Sequence, residues 1–384
     1  MNLTPKNTKT IAIVGGGIVG LAHAYQAYLR GFKVLIFEKE ERQIGASVRN
    51  FGLIWPIGQA SGTPLAMALE SRKIWEILAQ KASFNFFPNT SLHLAYHDDE
   101  WRVLADFYEK NQDNSYQVEL LTKNKVLHHS NSINPEKLKG GLWSKTEANV
   151  HPVEAVRQIS AFLAHQEHIQ FFPKTAINRI EGERLYSGKH SWQADKILIC
   201  TGSDFEILFP EKFERAPLQK CKLQMMRTKA ESLPAKQGPT LCAGLTLRHY
   251  DAFKNCDGLK DLDARYNATA PLYKQFGIHV LAVQNYLGEW VLGDTHEYGH
   301  TFEPFDSNRL NDLVLDYLAS FFKNADQLVI KETWHGIYAK HTAGEVAHTE
   351  EVTAHTHIIT GLGGAGMTLS FGLAAQHFRD WFGE

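Results

Sequence analysis

The stretch "KTIAIVGGGIVGLA" (Lys9–Ala22) decides the fold. Its first half is an apolar, β-branched run, the pattern of a strand buried in a parallel sheet. The run stops at Gly15-Gly16-Gly17, and a helical pattern continues to Arg30 with Gly20 and Ala24 on one face. Gly31 reads as the residue that ends this helix, and "FKVLIF" (Phe32–Phe37) as a second strand closing on Glu38. Gly15, Gly17 and Gly20 fall at the GxGxxG spacing. Gly15 allows a tight turn, Gly17 lets a pyrophosphate reach the backbone, and Gly20 lets helix and strand approach closely. The helix N-terminus faces the phosphates, and the Glu38 carboxylate accepts hydrogen bonds from a ribose. A carboxylate at that point disfavours a 2′-phosphate, which argues against NADP. Strand, glycines, helix, strand and acid in this order predict a Rossmann-type dinucleotide unit.

That unit occupies a small part of 384 residues, so two or three lobes are expected. Apolar residues make up 43% and charged residues 21%, the balance of a globular protein with a sizeable core. A net charge of −2 argues against binding nucleic acid through counterion release, while leaving room for a local basic pocket. The cysteines (Cys200, Cys221, Cys242, Cys256) have no CxxC spacing and read as reduced, mostly buried thiols of a cytoplasmic protein. "MNLTPKNTKT" has no apolar signal segment, and no apolar run reaches the roughly 18 residues of a transmembrane helix.

The glycine motif alone leaves NAD and FAD open. After Glu38-Lys39 the chain does not enter a second helical crossover; it runs through "EKEERQIGASVRNFG" (Glu38–Gly52), whose Gly/Ser/Asn-rich half suits a loop lying along an extended ligand. Here the chain resembles the FAD-dependent amine and amino-acid oxidoreductases related to D-amino-acid oxidase, glycine oxidase and sarcosine oxidase. In that family a GxS…N.G segment passes the FAD pyrophosphate, which implies contacts from Ala46, Ser47, Arg49, Asn50 and Gly52 beside Gly15, Gly16, Gly17, Gly20, Glu38 and Lys39. "ADKILICTGSD" (Ala194–Asp204) resembles the strand ending near the cofactor and implies Thr201 and Gly202; "KTAINRIEG" (Lys174–Gly182) implies adenine contact around Ile177. "TWHGIY" (Thr333–Tyr338) resembles the penultimate active-site strand. The implied fold is α/β: a Rossmann-type, glutathione-reductase-like FAD lobe (1–82, 141–214, 331–384) interleaved with a mixed or antiparallel sheet that binds substrate (83–140, 215–330). "KCKLQMMRT" (Lys220–Thr228) and "VLAVQNYLGEWVLGD" (Val280–Asp294) read as strands of that sheet.

A second GxGxxG lies in "HIITGLGGAGMTLSFG" (His357–Gly372), at Gly361, Gly363 and Gly366. Only residues 367–384 follow, whereas a mononucleotide unit needs about 30 residues. The motif therefore opens a strand–loop–helix element and not a second nucleotide fold. The resemblance puts this loop, Gly363, Gly364, Ala365, Gly366, Met367 and Thr368, at the pyrimidine edge of the flavin, where the helix end stabilises the charge of reduced flavin. The two motifs would serve opposite ends of one FAD. With no second nucleotide site, the electrons come from the substrate. "LGDTHEYG" (Leu292–Gly299) superficially matches a flavin-hydroxylase motif but lacks its partner.

Departures from the family pattern bear on the substrate. Amino-acid oxidases clamp a carboxylate with arginine in Gly-x-Arg-Pro; the matching position in "HGIYAKH" (His335–His341) is Tyr338. Glycine oxidase adds an arginine where this chain has Gly364 and Ala365. Sarcosine oxidases put a flavin-linking cysteine at the position of Gly336 and a lysine near Thr368, so FAD is expected to be non-covalent. One subgroup combines motifs like "GASVRNFGLIWPIGQ", "KLQMMRT", "GLTLRHY" and "WHGIYAKH", and is associated with bacterial phosphonate catabolism. That resemblance implies an aminoethylphosphonate or its N-methyl derivative. A phosphonate offers three acceptor oxygens, for which Arg49, Arg227, Arg248, His249, Lys340 and His341 are the candidates, with Tyr338 as substrate-face contact. Lys222 is expected to face solvent, as are His128 and His129.

The resulting expectation is FAD-dependent oxidation of a C–N bond (deamination or demethylation) in a small anionic amine, with oxygen or another electron acceptor. The alternative is a D-amino-acid or secondary-amino-acid (glycine- or sarcosine-like) oxidase or dehydrogenase; a flavin-binding protein without turnover is a third reading. His341, His348, His355 and His357 cluster in sequence, but 19 histidines spread along the chain without HExxH spacing predict no metal. Oligomeric state is left open.

Overall fold

The computed structural model describes residues 8–113, 115–230 and 238–383. Met1–Asn7, on which the reading of the N-terminus partly rests, lie outside the described residues. In chain order the elements that build the site are β1 (Thr10–Val14), α1 (Ile18–Leu29), β2 (Lys33–Phe37), α2 (Thr63–Ala82), β3 (Ser91–Ala95) and β4 (Gly140–Ser144). They continue with β5 (Ile169–Phe172), β6 (Lys196–Ile199), β7 (Leu218–Thr228), β8 (Leu281–Gln284) and β9 (Trp290–Gly293). The last are β10 (Ile330–His341), β11 (His348–Thr353), β12 (Thr356–Thr360) and α3 (Gly366–Phe382).

The first sheet has the order β11-β12-β6-β1-β2-β5, parallel throughout except for the β11–β12 hairpin. Both its faces are covered, which explains the uninterrupted apolar run of β1. Ile11 and Ile13 enter the core shared with α1, α2 and α3; Ala12 and Val14 enter the core on the opposite face, with Phe37, Ile177 and Leu185. Chain order reverses across β1, which has β6 on one side and β2 on the other, the switch point where open α/β sheets bind ligands.

The second sheet runs Glu297–Gly299, β7, β9, β8, Thr240–Cys242, β3, β4, Val118–Thr122, with β10 paired antiparallel to β7 from Leu218↔His341 to Thr228↔Ile330. "KCKLQMMRT" and "VLAVQNYLGEWVLGD" are strands of this sheet, as expected. At two of the expected lobe boundaries the strands belong to this sheet: β4 (Gly140–Ser144) pairs with β3, and β10 (Ile330–His341) pairs with β7. The four cysteines are buried and free. Among the described residues no helix is long and apolar enough to cross a membrane.

Candidate active site

A cavity of about 930 Å³ runs between the two sheets. The first lobe supplies one wall: the turn at Gly15 and Gly17, Glu38 and Lys39, the loop from Gln43 to Phe51, and the glycine loop before α3. Gly15 has φ +110°, and a Cβ there would sit 2.4 Å from the Cys200 carbonyl oxygen, so glycine is required. A Cβ on Gly20 would lie 2.0 Å from the Gly15 oxygen, the close helix–strand approach expected of it. The Glu38 carboxylate accepts hydrogen bonds from the Gly16 and Glu40 amides, both at 3.0 Å, which fixes it at the end of β2 against the cavity. Ser47 Oγ accepts from the Ile18 amide at 2.9 Å and ties the loop to the first turn of α1. Asn50 braces the same loop, donating to the Ala46 and Ser47 carbonyls and accepting from the Gly52 amide. Lys39 is held by Asp204 at 2.7 Å.

Of the residues expected at the cofactor, Gly15, Gly17, Glu38, Lys39, Ala46, Ser47, Arg49, Asn50, Ile177, Thr201, Gly202 and Gly363–Thr368 all line this cavity. Gly16, Gly20 and Gly52 are not on the wall. Gly16 donates to Glu38, Gly20 packs helix on strand, and Gly52, at φ +76°, lies against the Val150 carbonyl. The N-caps of α1 and α3, Gly17 and Ala365, provide no side-chain cap of their own, and although Ser47 takes the Ile18 amide, the first residues of both helices line the cavity. These two ends are neighbours: a Cβ on Gly366 would meet Ile18 Cγ2 at 3.8 Å. They would therefore meet adjacent parts of one ligand and not its opposite ends. A cavity of this size, lined by two helix N-termini and by a carboxylate at the end of the second strand, fits a bound FAD.

The second sheet and β10 form the other wall. The Tyr338 hydroxyl faces the glycine loop, 3.7 Å from where a Gly364 Cβ would sit, and burial keeps it a phenol. Lys340 Nζ donates to the Tyr298 hydroxyl at 3.0 Å, and Arg49 Nη1 to the His335 carbonyl at 3.3 Å. His249 and His341 also line the cavity. Arg248 does not: its Nε is bound to Asp263 at 2.5 Å and its guanidinium lies over Tyr266. Arg227 is paired with Glu332 and Glu289 beside a separate, smaller cavity. Lys222 is 2% exposed rather than solvent-facing, because residues 303–306 fold over it and accept from its ammonium, Asp306 at 3.1 Å among them. His128 is exposed, but His129 packs on Trp143.

The histidines near the C-terminus form no single cluster: His341 and His348 stack with ring centroids 6.1 Å apart and His348 pairs with Glu350, while His355 pairs with Glu183 and His357 stacks on Trp381. The sequence reading missed a different group. Asp294, His279 and His296 converge with His249 and Tyr250 on the wall formed by the second lobe, from segments far apart in sequence. The one available signal was an acid directly after the apolar run "WVLG", in the stretch set aside as a false hydroxylase motif.

The sequence profile of the family described as "DAO: FAD dependent oxidoreductase" matches residues 10–380. A curated relative, the D-amino acid dehydrogenase of Helicobacter pylori, is 25% identical over 252 residues, 51% of this chain and 60% of the relative; the chain thus spans less than two thirds of that protein's length. Among solved structures, the L-proline dehydrogenase of P. horikoshii is similar with a TM-score of 0.79 at 17% identity, covering 100% of this chain and 95% of that one. The glycine oxidase of Geobacillus kaustophilus gives a TM-score of 0.73 at 18% identity, covering 97% and 95%. At these identities the structural likeness speaks for the fold.

Proposed function

Because the chain belongs to the FAD-dependent oxidoreductase family, we propose that it oxidises the C–N bond of a small anionic amine, an amino acid or the phosphonate counterpart of one. FAD, when bound, supplies the acceptor for a hydride. The backbone at Gly15 and Gly17, Glu38, and the glycine loop before α3 would hold it. The protein's remaining work is to orient the amine, exclude water and hold the anion.

One observation carries the substrate class. Of the cavity's cations, Lys39 and Lys254 are neutralised by Asp204 and Asp251. Lys340 and Arg49 have no carboxylate partner among the described residues; Arg49 packs against Gly336, and Lys340 stands two residues beyond Tyr338 on β10, against Gly363. Cations left without an acid beside a cavity attract an anion. For the anion itself, similarity to D-amino acid dehydrogenase and glycine oxidase supports a carboxylate. The phosphonate reading draws on Tyr338 standing where the resembled oxidases carry arginine, and on two separate cations instead of one bidentate fork. Arg248, expected as part of the clamp, has no share in either reading.

The test is anaerobic bleaching of the bound flavin's visible absorption by glycine, sarcosine, D-alanine, L-proline, aminoethylphosphonate and its N-methyl derivative. Bleaching by the carboxylates selects the amino-acid reading, and bleaching by the phosphonates alone selects the other. Flavin that no amine reduces would sink the proposal.

A further inference from the structure

Asp294 is a buried carboxylate on the wall of the cavity formed by the second lobe, 6% exposed, with no lysine or arginine within bridging distance among the described residues. Its Oδ1 lies 3.0 Å from His279 Nε2, yet no aligned donor satisfies that oxygen. Its Oδ2 lies 3.9 Å from His296 Nε2, a nitrogen without a proton if Nδ1 donates to the Gly277 carbonyl at 2.8 Å. A buried carboxylate without a cation is costly, so the site needs either a proton or a cation from outside.

A metal ion is a poor occupant. His249, His279 and His296 bring ligand atoms within 4.8 Å of one another. However, the His249 and His279 rings are stacked, with centroids 3.8 Å apart and planes 30° off parallel, and His279 and His296 are also stacked at 5.3 Å. A metal lies in the plane of each imidazole that binds it, at about 2 Å from nitrogen. Planes so close to parallel meet far beyond that reach. The imidazoles form a wall and not a chelate.

We infer that Asp294 receives the substrate's ammonium and takes a proton from it, an inference that rests on the amine-oxidising reading above. An ammonium has no lone pair to drive hydride departure from the neighbouring carbon. In the step assigned to Asp294, an N–H bond breaks, its electron pair stays on nitrogen, and an O–H bond forms on the carboxylate. Ammonium and carboxylate become amine and carboxylic acid, with no change in oxidation state. Tyr338 and Lys340 on β10 lie beside the same space, so that amine and anion are held on one wall.

The surroundings favour this assignment. Burial raises Asp294 to about 8 and lowers His296 to about 4, while burial and mutual repulsion hold His249 and His279 well below the ordinary imidazole range. The other titratable groups facing the cluster are Tyr250, Cys221, Tyr298 and Tyr338, all raised by burial, and the cations Lys340 and Lys254. Asp294 is thus the member of the cluster that changes charge between neutral and mildly alkaline pH.

The experiment follows flavin bleaching by stopped flow across pH, with the best amine of the panel and a fluorinated, less basic analogue. The rate divided by the dissociation constant should rise through an enzyme ionisation near 8 that is the same for both amines, and fall above each amine's own pKa. Asp294→Asn, with its flavin spectrum and melting temperature checked against wild type, should lose the shared rising limb and slow about 100-fold at pH 7. Asp294→Glu should keep the limb. A limb that moves with the amine's basicity in the wild type, or one that survives in Asp294→Asn, overturns the assignment while leaving amine oxidation standing. A wild type that no amine reduces overturns both.

Discussion

Lys340 extends from β10 into the cavity, where its one hydrogen-bond partner among the described residues is the Tyr298 hydroxyl. A charge-assisted hydrogen bond to a substrate anion is worth about 1.5–3 kcal/mol, so Lys340→Met should raise KM roughly 10- to 100-fold. It acts on ground state and transition state alike, so the rate at saturation should stay within a few-fold. Steady-state kinetics on the best amine of the panel decides this; a fall in kcat with unchanged KM would remove Lys340 from anion binding. Its neighbours show what a chain of letters conveys at this scale. The lysine itself and a tyrosine at 338 in place of arginine are visible in sequence, but whether a cation is already spent is not. Arg248 meets Asp263 and Lys222 meets Asp306 only once the loops are folded. Asp294 was unreadable for the same reason, since its meaning lies in the cation it lacks.

Elements were legible where their determinants are local. β1, the glycine turn, α1 and β2 follow one another within residues 10–37, and each is specified by its own pattern. The pairing of β7 with β10 joins Leu218 to His341, and no local pattern encodes a partner so distant. β4 was likewise cut because its partner β3 lies across an intervening helix and strand. The α1–β1 contact gives the element-scale prediction. Gly20→Val would drive its Cβ to 2.0 Å from the Gly15 oxygen and 3.0 Å from Ile13 Cγ2, forcing α1 off the sheet. The displaced helix end no longer faces the turn, so the purified variant should carry little or no flavin and melt well below wild type. Flavin content per polypeptide measures it; full occupancy would show that α1 can shift without disturbing the phosphate turn.

The whole molecule is two interleaved lobes whose shared cavity draws on almost every segment, and its cores bury several histidines in neutral form. His23, His93, His296, His357 and His377 are all lowered, to between about 3 and about 4, chiefly by burial. In the unfolded chain each titrates near 6.5. Between 6.5 and about 4 the unfolded state binds protons that the folded state refuses, so stability is intact above 6.5 and is lost as pH falls through that window. His93 isolates the effect. It is 0% exposed, neither ring nitrogen has a hydrogen-bond partner among the described residues, and it sits between Trp55 and Phe253. Leucine there keeps an apolar filling and removes the proton. His93→Leu should therefore stand close to wild type at pH 7 and exceed it by about 2 kcal/mol at pH 5, from about 1.5 pH units at about 1.4 kcal/mol each. Denaturant unfolding of the flavin-loaded protein at both pH values measures the difference. Equal losses in variant and wild type would mean that His93 is protonated or hydrated in the fold, and that acid sensitivity arises from the other buried imidazoles.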